Sequence, residues 1–227
     1  MNGTNIFIKC IYSIIILIPS YRSFAQDLQR NELSFSGGLV TNQVYECRLS
    51  YNYNIFSFAG LGMSLGYNKQ WHANIVPEGS STSKDWSSWR ISDKDKKVIN
   101  LFIEPTMTLR TPAILRIENC SLRLNAESGC MIRLPLTLVS IDYLNSQNQQ
   151  KKSETKSTVG GRIFFGTFRA SAELHIQDVY IAAGYGISDW DMFAGYRNVK
   201  VADISLDKFY PRRQVSHSVF VKIGTFL

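Results

Sequence analysis

The sequence predicts an all-β protein, a single eight-stranded antiparallel up-and-down barrel, and three observations carry that prediction. Segments of strictly alternating apolar and polar residues recur along the chain. A strand turns its side chains to opposite sides at every residue, so each such segment has one apolar and one polar face. Helical periodicity is nowhere sustained, and the connections between segments alternate between long and short.

The segment Tyr45 to Ile55 shows the pattern best. Tyr45, Cys47, Leu49, Tyr51, Tyr53 and Ile55 oppose Glu46, Arg48, Ser50, Asn52 and Asn54. Before it, Leu33 to Leu39 sets Leu33, Phe35 and Leu39 against Ser34, Ser36 and Gly38. A third run, Ala59 to Trp71, sets Leu61, Met63, Leu65 and Tyr67 against glycine, serine and asparagine. The fourth, Val98 to Arg110, places Glu104 and Arg110 on its polar side. The fifth, Leu122 to Leu136, places Arg123, Glu127 and Arg133 there. The sixth, Phe164 to His175, offers Arg169 and Glu173; the seventh, Val179 to Ser188, offers Ala182, Gly184, Gly186 and Ser188. The last, Ser218 to Leu227, contributes Lys222. Pro105 and Pro135 mark bulges or breaks in the ladder. Tilted strands of these lengths can cross a bilayer.

Three polar connections are long: His72 to Lys97, Asn145 to Thr158, and Trp190 to Gln214. The links around Phe56–Phe58 and Ile176–Asp178 are short, and Thr111 to Cys120 is long enough for a helical turn. Apart from the brief Thr41-Asn42-Gln43, long and short connections alternate. This puts both termini and the shorter links on one side, with the long loops on the other.

The chain begins as a secretory signal would. Lys9 precedes the apolar run Cys10–Ile18, Pro19 breaks it, and Ser23-Phe24-Ala25 offers a cleavage site before Gln26. Residues 1–25 are therefore expected to be removed, leaving a barrel domain over 26–227. The net charge is +7, with Lys9 and Arg22 in the leader. The remaining 23 basic and 18 acidic residues are too dispersed for a nucleic-acid surface. No apolar run reaches the roughly 20 residues of a spanning helix. Cys120 and Cys130 lie too far apart along one strand for a disulfide, and Cys47 has no evident partner. No cysteine or histidine spacing suggests a metal, and no cofactor is implied.

With these strands and this leader, the chain resembles the small eight-stranded outer-membrane β-barrels, the OmpA-like and porin-family type. The resemblance covers Gln26 to Leu227 and implies the outer membrane of a Gram-negative bacterium; the Ala25-Gln26 junction looks like that of Bacteroidota envelope proteins. In that family the terminal strand is read by the barrel-assembly machinery. Val219, Val221, Ile223, Phe226 and Leu227 stand at the corresponding positions, with the usual final Phe displaced by one. No periplasmic peptidoglycan-binding domain is expected after the barrel.

Alternation alone does not say which face meets lipid. In a soluble lipocalin-like barrel or sandwich, exported in the same way, the apolar face would point inward. Outward apolar faces are favoured by the Gly- and Ser-rich polar sides of the third and seventh strands. Aromatics near strand ends (Tyr45, Tyr67, Trp71, Phe164 and Tyr185) also suit interfacial girdles. Then Glu46, Arg48, Glu104, Arg110, Arg123, Glu127, Arg133, Arg169, Glu173 and Lys222 share a narrow lumen and must pair there. Such a lumen excludes a general diffusion pore.

The expected role is therefore structural or surface-binding and non-enzymatic, for a monomer surrounded by lipid and lipopolysaccharide. Trp86, Trp89, Lys84, Arg90, Lys94, Lys96 and Lys97, with Arg197, Lys200, Lys208, Arg212 and Arg213, are loop candidates for lipopolysaccharide phosphates or a partner; a solvated loop has the same composition. An alternative is a lipid-modifying hydrolase or acyltransferase at the outer rim. It would use His72, His217 and Ser218, with Asp189 or Asp191 orienting the base. His175 lies at the other end.

Overall fold

The computed structural model describes residues 31–41, 43–73, 75–80, 85–202, 204–212 and 215–227. The leader expectation lies outside them. Eight long strands form the barrel: β1 (Asn31–Val40), β2 (Val44–Phe56), β3 (Ala59–Gln70), β4 (Ile99–Arg110), β5 (Cys120–Leu134), β6 (Phe164–Ile176), β7 (Val179–Ser188) and β8 (Ser216–Phe226). Each pairs antiparallel with its sequence neighbours, and β8 pairs with β1 from Glu32↔Phe226 to Val40↔Ser218, which closes the sheet. Closure removes the unpaired edges that would be untenable in hydrocarbon.

Every strand presents its apolar alternation outward. Phe35 on β1, Leu49 on β2, Leu65 on β3, Met107 on β4, Leu124 on β5, Phe168 on β6, Ile181 on β7 and Val221 on β8 are all about half exposed. A continuous apolar belt around a closed sheet is the surface of a transmembrane barrel, since water would not tolerate a patch of this extent. The soluble lipocalin-like alternative required the opposite orientation and is overturned. Tyr185, Trp71 and Phe164 stand exposed toward the end with the long loops.

The prolines act as ladder interruptions. β4 and β5 pair at Ile103↔Ile132 and again at Thr106↔Gly129, with no pairing across Glu104 and Pro105. Pro135 ends β5 at Leu134, two residues before the expected Leu136. The link 111–119 carries a short strand, Leu115–Ile117, folded back on β5 rather than a helical turn. β1 ends and β2 begins at the end with the long loops, so short links are not confined to one side.

The largest departure from the sequence reading is at that end. The loops expected to be polar and generic fold into a cap. Segments Glu78–Ser80, Ser88–Ile91, Leu138–Leu144 and Gln150–Ser157 make a four-stranded antiparallel sheet. The segment after β7 adds two 3₁₀ turns, Tyr196–Asn198 and Leu206–Lys208, around the ladder of Lys200–Val201 with Ile204–Ser205. Trp89, Ile91, Val139 and Ile141 from the sheet meet Trp190, Phe193, Tyr196 and Leu206 in one buried core. This core is continuous with Val44, Phe102, Met131 and Phe165 at the barrel mouth. Burying each of Ile141, Phe193 and Leu206 contributes about 1.5–3 kcal/mol, enough to hold loops that no disulfide ties.

Placing arginine at Val221, midway along β8, is expected to cost roughly 2–4 kcal/mol of unfolding free energy in phospholipid vesicles. Urea unfolding measures it, and an unchanged value would put this face in water.

Candidate functional site: the charged lumen and its cap

The inner face of the barrel carries three layers of charge. Nearest the end with the short turns, the Arg110 guanidinium donates to Glu32 at 2.9 Å and to Glu173 at 2.7 Å. Tyr180 donates its hydroxyl to Glu32, and His175 Nε2 lies 3.0 Å from Glu173. The His175 ring lies against both Tyr180, at 5.1 Å, and Phe226, at 5.6 Å, and those two rings meet each other at 5.8 Å. In the middle layer Lys222 donates to Glu127, with Arg169 3.8 Å away from the same carboxylate. The outer layer holds Arg48 between Glu46 and Glu104, and Thr167 donates its hydroxyl to Glu104.

Glu32, Glu104 and Glu173 are fully buried, and Glu46, Arg48, Arg110, Arg169 and Lys222 nearly so. Unpaired charges would not survive there, because desolvation costs several kcal/mol per ion. Pairing is helped by aromatic rings that share the lumen. Arg169 lies 3.6 Å from the centre of the Phe220 ring, Arg48 lies 5.1 Å from Phe102, and Arg110 lies 5.4 Å from Phe226. Such cation–π contacts strengthen when desolvated.

The inward glycines provide the space for these rings. A Cβ at Gly66 would collide with Phe102, and one at Gly184 would stand 2.5 Å from Phe220; at Gly224 it would stand 2.5 Å from Tyr180. The glycine-rich sides of β3 and β7 thus make room for aromatics as well as for long charged chains.

Two arginines grouped with the lumen charges take other roles. Arg133, at the outer mouth, donates to the backbone carbonyls of Thr158 (3.1 Å) and Gly160. It anchors the loop after β5 instead of neutralising a carboxylate. Arg123 is half-buried at the inner mouth, and its Nε is buried without a hydrogen-bond partner among the described residues. It shares a cavity of about 480 Å³ with Arg116, His175 and Phe226.

Sequence reasoning missed Glu32 by starting β1 at Leu33, although Glu32 is in phase with Ser34 and Ser36. It also omitted Tyr180 and Phe220, aromatic residues standing in polar-phase positions. Of the terminal-strand residues, Val219, Val221 and Ile223 face outward, and Leu227 is exposed. Phe226 turns inward onto His175, because it is in phase with Lys222 and Gly224.

The lumen is joined to the cap by polar contacts. With its amide oriented to satisfy both neighbours, Asn68 donates to Glu46 (3.1 Å) and accepts from the Trp190 indole (3.2 Å). Asn100 donates to the Met192 carbonyl at 3.0 Å, and the Tyr196 hydroxyl accepts from the Ile99 amide at 3.2 Å.

The rim residues are not assembled as an acid–base set. His217 lies across from Ile187, and its Nδ1 is 2.6 Å from the Tyr185 hydroxyl. Asp189 is engaged by Arg162, and Asp191 by Arg197. Ser218 sits opposite Gly186, and His72 is exposed on the cap side. Among the described residues, no cluster of three or more His, Cys, Asp or Glu side chains is arranged to hold a metal. Cys47, Cys120 and Cys130 are free thiols.

No protein-family model matches the sequence, and the search of curated proteins gave no match. Several solved β-barrel structures are similar to this chain at low scores. Neisserial surface protein A is 8% identical over 87% of this chain and 96% of its own, with a TM-score of 0.45. The N-terminal β-barrel domain of Pseudomonas aeruginosa OprF is 10% identical over 87% and 96%, with a TM-score of 0.41. The outer membrane enzyme PagL is 10% identical over 86% and 99%, with a TM-score of 0.42.

Arg110→Met leaves Glu32 and Glu173 buried without their cation and is expected to cost about 3–5 kcal/mol in vesicle unfolding. Changing Glu32→Gln and Glu173→Gln in the same chain should recover most of that loss. A single variant as stable as the parent would contradict the paired lumen.

Proposed function

We propose that this chain is a structural or surface-binding barrel of a Gram-negative outer membrane, OmpA-like and of Bacteroidota type. In this reading it presents a rigid cap and does not act as a diffusion pore. The observation that carries the reading is the filled interior. Three layers of paired charges and interleaved rings occupy the lumen, and an apolar core seals the outer mouth. Eight strands leave room for side chains and little else.

The apolar belt supports a membrane location, and the closed sheet suits a membrane that accepts barrels. Lipid and lipopolysaccharide are then the surrounding partners, with the cap projecting outward. The outward alternation of Val219, Val221 and Ile223 supports recognition of β8 by the barrel-assembly machinery. The protein is proposed to work as a monomer without cofactor. The engagement of Asp189 and Asp191 by arginines supports a non-catalytic role at the rim.

Reconstituted liposomes test the closed interior. Swelling in sugar solutions should be no faster than in protein-free liposomes. Swelling at the rate of a general porin would overturn the proposal.

A further inference from the structure

The edge strand of the cap sheet breaks its own pattern. Lys152, Glu154 and Lys156 on Gln150–Ser157 pair across from Tyr143, Ile141 and Val139, which are core residues. The strand therefore turns three charged side chains toward the side on which its neighbour is apolar. Lysines on an edge strand deter pairing with other chains, and that alone would account for one or two of them. It does not account for what they surround.

Lys152, Glu154, Lys156 and Lys200 line a cup of about 310 Å³ whose aromatic wall is Trp86 and Tyr143. The two rings meet edge to face with centres 4.9 Å apart, and Lys152 Nζ lies 5.7 Å from the Tyr143 ring. Lys156 donates to the Lys200 carbonyl at 2.7 Å, which ties the edge strand to the segment after β7. Tyr143 donates its hydroxyl to Glu154 at 2.9 Å. Burial, with the Glu154 bond, pushes the Tyr143 phenol up to about 12, so it remains a donor throughout the physiological range. Three lysines against one glutamate, itself occupied by Tyr143, leave the cup positive. Trp86 is only partly buried: it packs against the cap core and also lines the cup.

We propose that this cup binds an anionic sugar, a saccharide unit bearing a phosphate or sulfate. Its apolar C–H face would rest on Trp86, and its anionic group would be held by Lys152 and Lys200. An aromatic ring beside ammonium groups supplies the two contacts such a ligand needs: an apolar platform and charge-assisted donors. The source is either a free sulfated polysaccharide or the phosphorylated core sugars of lipopolysaccharide. This deepens the surface-binding reading, yet binding by purified protein does not depend on the lumen being closed, so the two can fail separately.

Calorimetry on the purified full chain in detergent tests it with four probes: a heparin-type sulfated hexasaccharide, lipopolysaccharide with phosphorylated core sugars in bicelles, neutral dextran and inorganic sulfate. Saturable binding of the hexasaccharide, of the lipopolysaccharide or of both is expected, and the arm that binds identifies the source. Dextran and sulfate alone should not bind. Lys152→Gln and Lys200→Gln should each weaken binding about tenfold. Trp86→Ala should weaken it as well, with heat-modifiable gel migration confirming that each variant is folded. Lys151→Gln, an exposed cap lysine that does not line the cup, should have no effect. The proposal is overturned if neither glycan binds, if dextran binds equally, or if Lys151→Gln weakens binding as much as Lys152→Gln.

Discussion

An eight-stranded barrel encloses space for side chains but almost none for water, so a charge placed on its inner face must find its counter-charge there. That requirement orders the interior of this protein. Arg110 spans two glutamates on different strands, Glu127 receives both Lys222 and Arg169, and Arg48 links Glu46 to Glu104. Because the partners come from strands on different sides of the lumen, the network ties the wall together across its diameter. The rings of Phe102, Tyr180, Phe220 and Phe226 fill what the ions leave. The inward glycines are the complement of those rings, small where a neighbour is large.

The same logic carries into the cap. A filled barrel would still expose the apolar residues of its outer mouth, Val44, Phe102, Met131 and Phe165. The cap supplies their cover with Trp190, Phe193 and Trp89. Polar contacts at the junction fix how it sits: Asn68 between Glu46 and Trp190, and Arg133 on the loop carbonyls. A surface built this way is stiff, and stiffness matters for recognition because a preorganised site loses less entropy on binding. A charged, aromatic cup on such a surface differs from the same residues on a mobile loop.

Much of this was legible in the residues. Period-two alternation is a strong signal over ten or more positions, so the eight barrel strands and the sidedness of Glu46, Arg48, Glu127 and Lys222 could be read directly. The cap strands are short: Ser88–Ile91 offers only two inward residues, Trp89 and Ile91, among charged and polar neighbours. Alternation over four residues is indistinguishable from chance, and the lysines around it read as a solvated loop. Glu32 was missed because the opening residues of a strand carry little pattern. Tyr180, Phe220 and Phe226 were misjudged because an apolar residue in a polar phase looks like an exception, whereas the lumen needs it to carry a cation. The pairing of ions could not be read at all, since it depends on the closure and tilt of the sheet.

Above the cavity at its inner mouth, this barrel is a solid rod filled by its own side chains. Thiol accessibility at Ser64, buried beside Glu104 on the inner face, probes that most directly. In a background with Cys47, Cys120 and Cys130 replaced by serine, Ser64→Cys in reconstituted protein should resist a small water-soluble methanethiosulfonate applied from both sides. Labelling as fast as that of a cysteine placed on the exposed cap would mean that water runs through the lumen, and the account would be wrong.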